Sequence, residues 1–126
     1  MSAAARAFRA TLVLPLPPNR ANRRGHWAAQ YRQDKAWALR ALVALRNADV
    51  SRPRRPLARC RIAFHVVTTR AQDYDNAVAR TKPATDLLVR EGWLRDDGPA
   101  VLVDVAFTQA VDARHPRLEV TIEDAP

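Results

Sequence analysis

Apolar and polar positions alternate along four stretches of this chain and recur at helical spacing along two others. Between residues 8 and 16, Leu12, Leu14 and Leu16 fall on one face of an extended segment, which predicts a first strand. The run Pro15-Leu16-Pro17-Pro18-Asn19-Arg20 ends it, because proline has no N–H to give to a sheet ladder. Residues 28–47 are rich in Ala and Leu and hold neither Gly nor Pro. Tyr31, Ala38, Leu42 and Leu45 recur there at helical spacing, so the segment predicts a helix. Ser51-Arg52-Pro53-Arg54-Arg55-Pro56 reads as a loop.

A second strand is predicted over residues 58–69, with Ile62, Phe64 and Val66 on one face and Ala63, His65 and Val67 on the other. Both faces are largely apolar, so this strand is expected to be central and covered on each side. Residues 83–91 predict a second helix, with Pro83 at its first position and Gly92 as its stop. Residues 100–108 and 117–123 are the last two strands, with Val101, Val103, Val105 and Phe107 on one face and Leu118, Val120 and Ile122 on another. The turn Asp112-Ala113-Arg114-His115-Pro116 would join them as an antiparallel pair. The order β-α-β-α-β-β describes a small mixed β-sheet with two helices, an α/β or α+β domain.

A chain of 126 residues accommodates one core, so residues 1–126 are expected to form a single domain. No stretch approaches the ~18 uninterrupted apolar residues of a membrane span. Leu12-Val13-Leu14-Pro15-Leu16 is too short and too proline-rich for a signal-peptide core, and a cytoplasmic protein is expected. Cys60 is the single cysteine, which excludes an intrachain disulfide and a cysteine-based zinc cluster, and it reads as a small core hydrophobe.

The charge changes the picture. Lys and Arg total 21 against 13 Asp and Glu, a net +8, and only Lys35 and Lys82 are lysines. Codon bias explains the choice of Arg over Lys but not the net excess. Arg has a planar fork that grips two phosphate oxygens at once, and a small domain this basic points to a polyanion, most often nucleic acid.

The acids are concentrated within this basic chain. Of ten aspartates, five lie between Asp73 and Asp97. If the chain is still extended after the central strand, Asp73 and Asp75 project to the same side. Like charges that close need a cation or arginines to offset them, and hard cations such as Mg²⁺ prefer carboxylate oxygens. Asp96-Asp97 follows Gly92-Trp93-Leu94-Arg95 and is able to return to the level of Asp73 and Asp75. Carboxylates converging on a metal within a basic surface are what phosphodiester hydrolysis requires. Taken singly, Asp-x-Asp and Asp-Asp before Gly98-Pro99 are each explained as solvated turns. Arg70, Arg80 and Arg95 oppose the cluster.

These residues resemble a known family. Asp73-x-Asp75-Asn76, then Lys82-x-x-x-Asp86-x-Leu88, then Gly92 and Asp96-Asp97, are similar to the signature of the RusA-type Holliday junction resolvases. Leu14-Pro15-Leu16-Pro17-Pro18 with Asn22 resembles that family's first strand and Pro-Pro turn, and Arg117-Leu118-Glu119-Val120-Thr121-Ile122 its closing strand. The resemblance implies a Mg²⁺-dependent homodimeric endonuclease that nicks opposing strands of four-way junction DNA. It implies Asp73, Asp75 and Asp97 as catalytic metal ligands, and Lys82 as the essential lysine that stabilises phosphate charge or orients the attacking water. Asp96 and Asp86 match acidic positions of the motif, although Lys82 and Asp86 are also spaced to pair across one helical turn. In the family pattern the lysine stands closer to the Asp-Asn pair. Here Ala77-Val78-Ala79-Arg80-Thr81 intervene, and Pro83 disfavours helical geometry at Lys82, so Arg80 is a rival for the catalytic cation.

Arg20, Arg23, Arg24, Arg52, Arg54, Arg55 and Arg70 are candidates for DNA backbone contacts. His26 beside Trp27 is placed either near DNA or in a staple before the first helix. His65 is expected to be packed within its strand, and Asp104 exposed on another. With three glycines in all, no phosphate-cradling loop is present. Two other readings stay open: a nuclease for other branched DNA, and a non-catalytic DNA-binding protein of the same fold.

Overall fold

A computed structural model of the chain describes residues 7–19 and 27–126. The elements, in order, are β1 (Arg9–Leu14), α1 (Trp27–Arg46), β2 (Cys60–Thr68), α2 (Tyr74–Ala79), α3 (Lys82–Arg90), β3 (Leu102–Val111) and β4 (Arg117–Asp124). They form an α+β domain around one four-stranded mixed sheet of order β1-β4-β2-β3. Among the described residues, no helix is long and apolar enough to cross a membrane.

Alternation decides the faces. Leu12 and Leu14, Ile62, Phe64 and Val66, and Leu118, Val120 and Ile122 are all buried in one cluster with Trp37, Ala41, Leu45, Leu87 and Leu88 of α1 and α3. Each large aliphatic side chain in that layer contributes roughly 1.5–3 kcal/mol. Trp37 buries its ring and satisfies its indole N–H by donating to the Pro15 carbonyl at 2.7 Å, which ties α1 to the end of β1. The stripe of α1 that faces the core is Trp37, Ala41 and Leu45, with Ala38 packed beside it, so the expected stripe holds at Ala38 and Leu45 but not at Tyr31. Tyr31 is 59% exposed, with the Lys35 ammonium 5.9 Å from its ring.

β2 is central, pairing antiparallel with β4 and parallel with β3. The expected cover on both of its faces is only partly present: α1 and α3 lie on one, while on the other Val67 is buried but His65 and Ala63 are only half-buried. There His65 Nδ1 lies 2.7 Å from Thr108 Oγ1, and Thr11 and Thr121 meet through their hydroxyls at 3.2 Å.

The expected β3–β4 hairpin is not formed. β3 pairs parallel with β2 at the sheet edge, and β4 inserts between β1 and β2. The burial patterns explain the choice. Leu118, Val120 and Ile122 suit an interior strand, whereas β3, carrying Asp104, Thr108 and Gln109, is exposed along most of its length. The link between them crosses the end of β2, and Arg117 clamps it, donating to the His115 carbonyl and to Glu119, each at 2.8 Å. A register shift between Cys60 and Arg61 leaves Val103 as the extra residue of β3.

A reversal after α3 completes the fold. Gly92 has φ +83°, Gly92 N–H donates to the Val89 carbonyl at 3.2 Å, and Trp93 N–H to that of Leu88 at 2.9 Å. This is a Schellman ending, with Trp93 and Leu88 both buried beneath it. A Cβ at Gly92 would meet Arg52 Nη1 only at an ordinary 3.5 Å, so the constraint is the backbone angle. Gly92→Ala is therefore expected to lower unfolding free energy by about 1–2 kcal/mol in denaturant titration. An unchanged midpoint would show that the turn does not depend on glycine.

Candidate functional site

Two segments build the site. The first is the head of α2. The chain is already helical at Asp75, so the expected extended Asp73-x-Asp75 geometry is not adopted. Asp73 is the N-cap, with φ −59° and ψ 147°, and Asp75 lies in the first turn. Both acids are exposed, at the helix end where negative charge is favoured. Asp75 Oδ1 accepts from Asn76 N–H at 3.0 Å. Tyr74, between the two acids, sets its ring edge-on against Phe107 of β3, with centroids 5.1 Å apart. This contact seats the acidic turn on the sheet. The alternation rule assigned Tyr74 no role, because its partner lies on a strand far along the chain.

The second segment is α3 with the return strand behind it. Pro83 lacks the N–H that would reach the Ala79 carbonyl, so α2 and α3 are separate helices joined at Arg80-Thr81. Thr81 Oγ1 donates to the Val78 carbonyl at 2.7 Å across this break. Lys82 is helical despite preceding proline, and it projects to solvent as the first residue of α3. Behind it, Leu57 N–H donates to the Trp93 carbonyl and Arg95 N–H to that of Leu57, each at 3.0 Å. Residues 93–97 are thereby led back along α3. Lys82 Nζ then meets Asp97 Oδ2 at 2.5 Å and Asp86 Oδ1 at 3.0 Å. Asp96 is exposed beside them, its Oδ2 lying 3.2 Å from where a Cβ on Gly98 would stand.

Lys82, not Arg80, is the cation that meets the acids. Arg80 is half-buried and turns the other way, donating from Nη1 to the Pro17 carbonyl at 3.2 Å. The other grouping expected from the sequence is not assembled: among the described residues, no three His, Cys, Asp or Glu side chains come together closely enough to hold a metal ion. Asp97 is committed to Lys82 rather than joined with Asp73 and Asp75 into one cluster.

The DNA-contact candidates divide as well. Arg20, Arg23 and Arg24, with Asn22 and His26, lie outside the described residues. Arg54, Arg55 and Arg70 are exposed. Arg52 is exposed and donates to the Glu91 carbonyl at 3.2 Å, which puts its loop beside the far end of α3 from Lys82. Trp27, at the start of α1, is 73% exposed. Cys60 is fully buried as expected, and burial, then the nearby Asp124 charge, raises its thiol pKa.

No family model matches the chain, and none of the curated proteins compared with it matches either.

The ion pairs set the charge state. Hydrogen bonds to Asp97 and then to Asp86 push the Lys82 pKa from 10.5 up to about 12, and the same contact with Lys82 holds the Asp97 carboxyl below its ordinary 3.8. The Lys82 contribution to stability is complete below 10.5 and is lost as pH rises toward about 12. The Asp97 contribution is present above 3.8 and is lost as pH falls through its lowered folded value. The pair is thus intact throughout the neutral range. Lys82→Met is expected to bring the Asp97 carboxyl back up toward 3.8, read by carbon-detected NMR titration. A carboxyl that stays low in this variant would assign the effect to another group.

Proposed function

We propose that this protein is a Mg²⁺-dependent, structure-selective endodeoxyribonuclease that acts on four-way DNA junctions. The observation that carries the reading is the Lys82 ammonium bound to both Asp86 and Asp97. It joins the later two parts of the acidic signature in one place, on a chain of net charge +8. That balance suits phosphate chemistry: arginines draw the DNA backbone in, while the acids need a cation before a phosphate can approach them.

The donor set of Asp73 and Asp75 fits a hard cation in kind. Both are exposed carboxylates with no ion-pair partner among the described residues. Mg²⁺ is commonly held by one or two carboxylates, waters and substrate phosphates rather than by a closed protein cage. Bound there, it would supply an activated water and a Lewis acid for the attacked phosphate. Asp97 enters the proposal as the partner that orients Lys82 rather than as a third ligand. Lys82 stays protonated at neutral pH and offers a positive charge to a phosphate whose charge rises during hydrolysis. Paired nicks on a two-fold symmetric junction need two sites, so the active species is proposed to be a homodimer with C2 symmetry.

One observation favours a second reading. Because no three His, Cys, Asp or Glu side chains among the described residues come together so as to hold a metal ion, a non-catalytic DNA-binding protein also accounts for the charge.

A labelled four-way junction incubated with and without Mg²⁺ separates the two readings. Cleavage only with Mg²⁺, and retained binding without cleavage in Asp75→Asn, are expected of the nuclease, with a loss of roughly 10²-fold or more in rate. Wild-type cutting by Asp75→Asn would remove the metal assignment, and binding with no cutting under any condition would favour the second reading. Forks and linear duplexes run in parallel test selectivity for four-way junctions over other branched DNA.

A further inference from the structure

Arg80 has a local environment that its role in the fold does not explain. It follows the last turn of α2 and is half-buried. Its Nη1 is used on the Pro17 carbonyl, but its Nε is buried with no hydrogen-bond partner. Desolvation lowers its pKa, and among the described residues no carboxylate pairs with it. A buried guanidinium N–H without an acceptor is costly to the fold. Arg80 lines a cleft of about 350 Å³ between α1 and the Pro17-Pro18 turn, together with Gln33 and Arg40. Among the described residues, no acidic one lines it. The neighbouring cleft between α1 and α3 differs, since Asp34 and Asp86 stand there beside Lys35 and Arg90. Arg40 projects from α1 as an exposed side chain with no ion pair among the described residues.

We propose that this cleft is a phosphate site, in which the forks of Arg80 and Arg40 and the amide of Gln33 hold one backbone phosphate of a DNA strand. Guanidinium groups match the paired oxygens of a phosphodiester, and two of them without a competing carboxylate make a local anion trap. Its place suits the nuclease reading, on which the DNA part of the proposal rests. Arg80 caps the short α2 that carries Asp75, about 140° around the helix axis from it, so the cleft flanks the acidic turn rather than sharing its face. Arg80 then anchors a flanking segment of the DNA, while Lys82 faces the reacting phosphate.

Two measurements on the full chain test this. In the first, inorganic phosphate is titrated against sodium chloride of equal ionic strength while the Arg80 Nε–H resonance is followed by NMR. A phosphate-specific shift is expected in the wild type and should be lost or much weaker in Arg40→Gln, a surface change that leaves the fold intact by circular dichroism. A wild-type response no different from that to chloride overturns the site. The second measures junction binding in EDTA across a range of salt concentrations. Arg40→Gln should weaken binding several-fold and lower the slope of log affinity against log salt by about 1. An unchanged slope overturns the assignment to DNA even where free phosphate binds. If the wild type neither binds nor cuts DNA, the nuclease reading fails, and a phosphate-specific shift still supports the anion site.

Discussion

The turn at Gly92 is what the site depends on. It sends the chain back along α3 and carries Asp97 to a lysine fifteen residues earlier. The ion pair does not hold this arrangement together. Lys82 and Asp97 are both exposed, and exposed pairs contribute little to stability. The work is done by Trp93 and Leu94, buried against Leu88, each worth roughly 1.5–3 kcal/mol in apolar burial. Apolar burial fixes the backbone, and the charges occupy positions it has already set. The acids and the lysine can therefore be exchanged singly while the fold persists, which makes the chemistry of the site separable from its architecture.

The parts of the fold legible in the sequence were those governed by local rules. The 20-residue α1, the stop at Gly92 and the alternation of Leu118, Val120 and Ile122 each follow from spacing within one segment. Partner choice was not legible. Period-two alternation identifies a strand and its buried face but does not say which strand lies beside it. A turn of suitable composition at residues 112–116 suggested a hairpin, yet the chain crosses the end of β2 instead. The same blindness hid the contact between Tyr74 and Phe107, which joins residues brought together only by the parallel pairing of β2 and β3.

The site was legible to a similar degree. The pairing of Lys82 with Asp86 follows from their spacing on one helix, and that of Lys82 with Asp97 from a family-like order of residues. The same-side geometry of Asp73 and Asp75 required the chain to stay extended beyond the second strand, and it does not. Asp73 caps the helix that Tyr74 opens, and Asp75 lies in its first turn. The pair therefore presents its carboxylates at a helix head and not on one side of a strand. A short helix just after a strand leaves little periodicity to detect: α2 has six residues, with only Ala77 buried.

Pro83 explains why the two candidate cations part company. An uninterrupted helix from Tyr74 to Arg90 would carry residues 80 and 82 about 200° apart around its axis. The proline instead breaks the hydrogen-bond ladder at Arg80-Thr81 and starts a new helix. Arg80 is left on the inner side, where its long apolar stem packs and its fork reaches the Pro17 carbonyl. Lys82 emerges at the outer rim, where a compact ammonium can be shared between two carboxylates and still face solvent. Each cation suits its position. A fork needs fixed acceptors and tolerates partial burial because it stays charged, whereas a point charge on a flexible stem serves where the partner changes during a reaction. Pro83 thus leaves two cations, two residues apart in the chain, in different surroundings: one anchored to a backbone carbonyl and one shared between carboxylates.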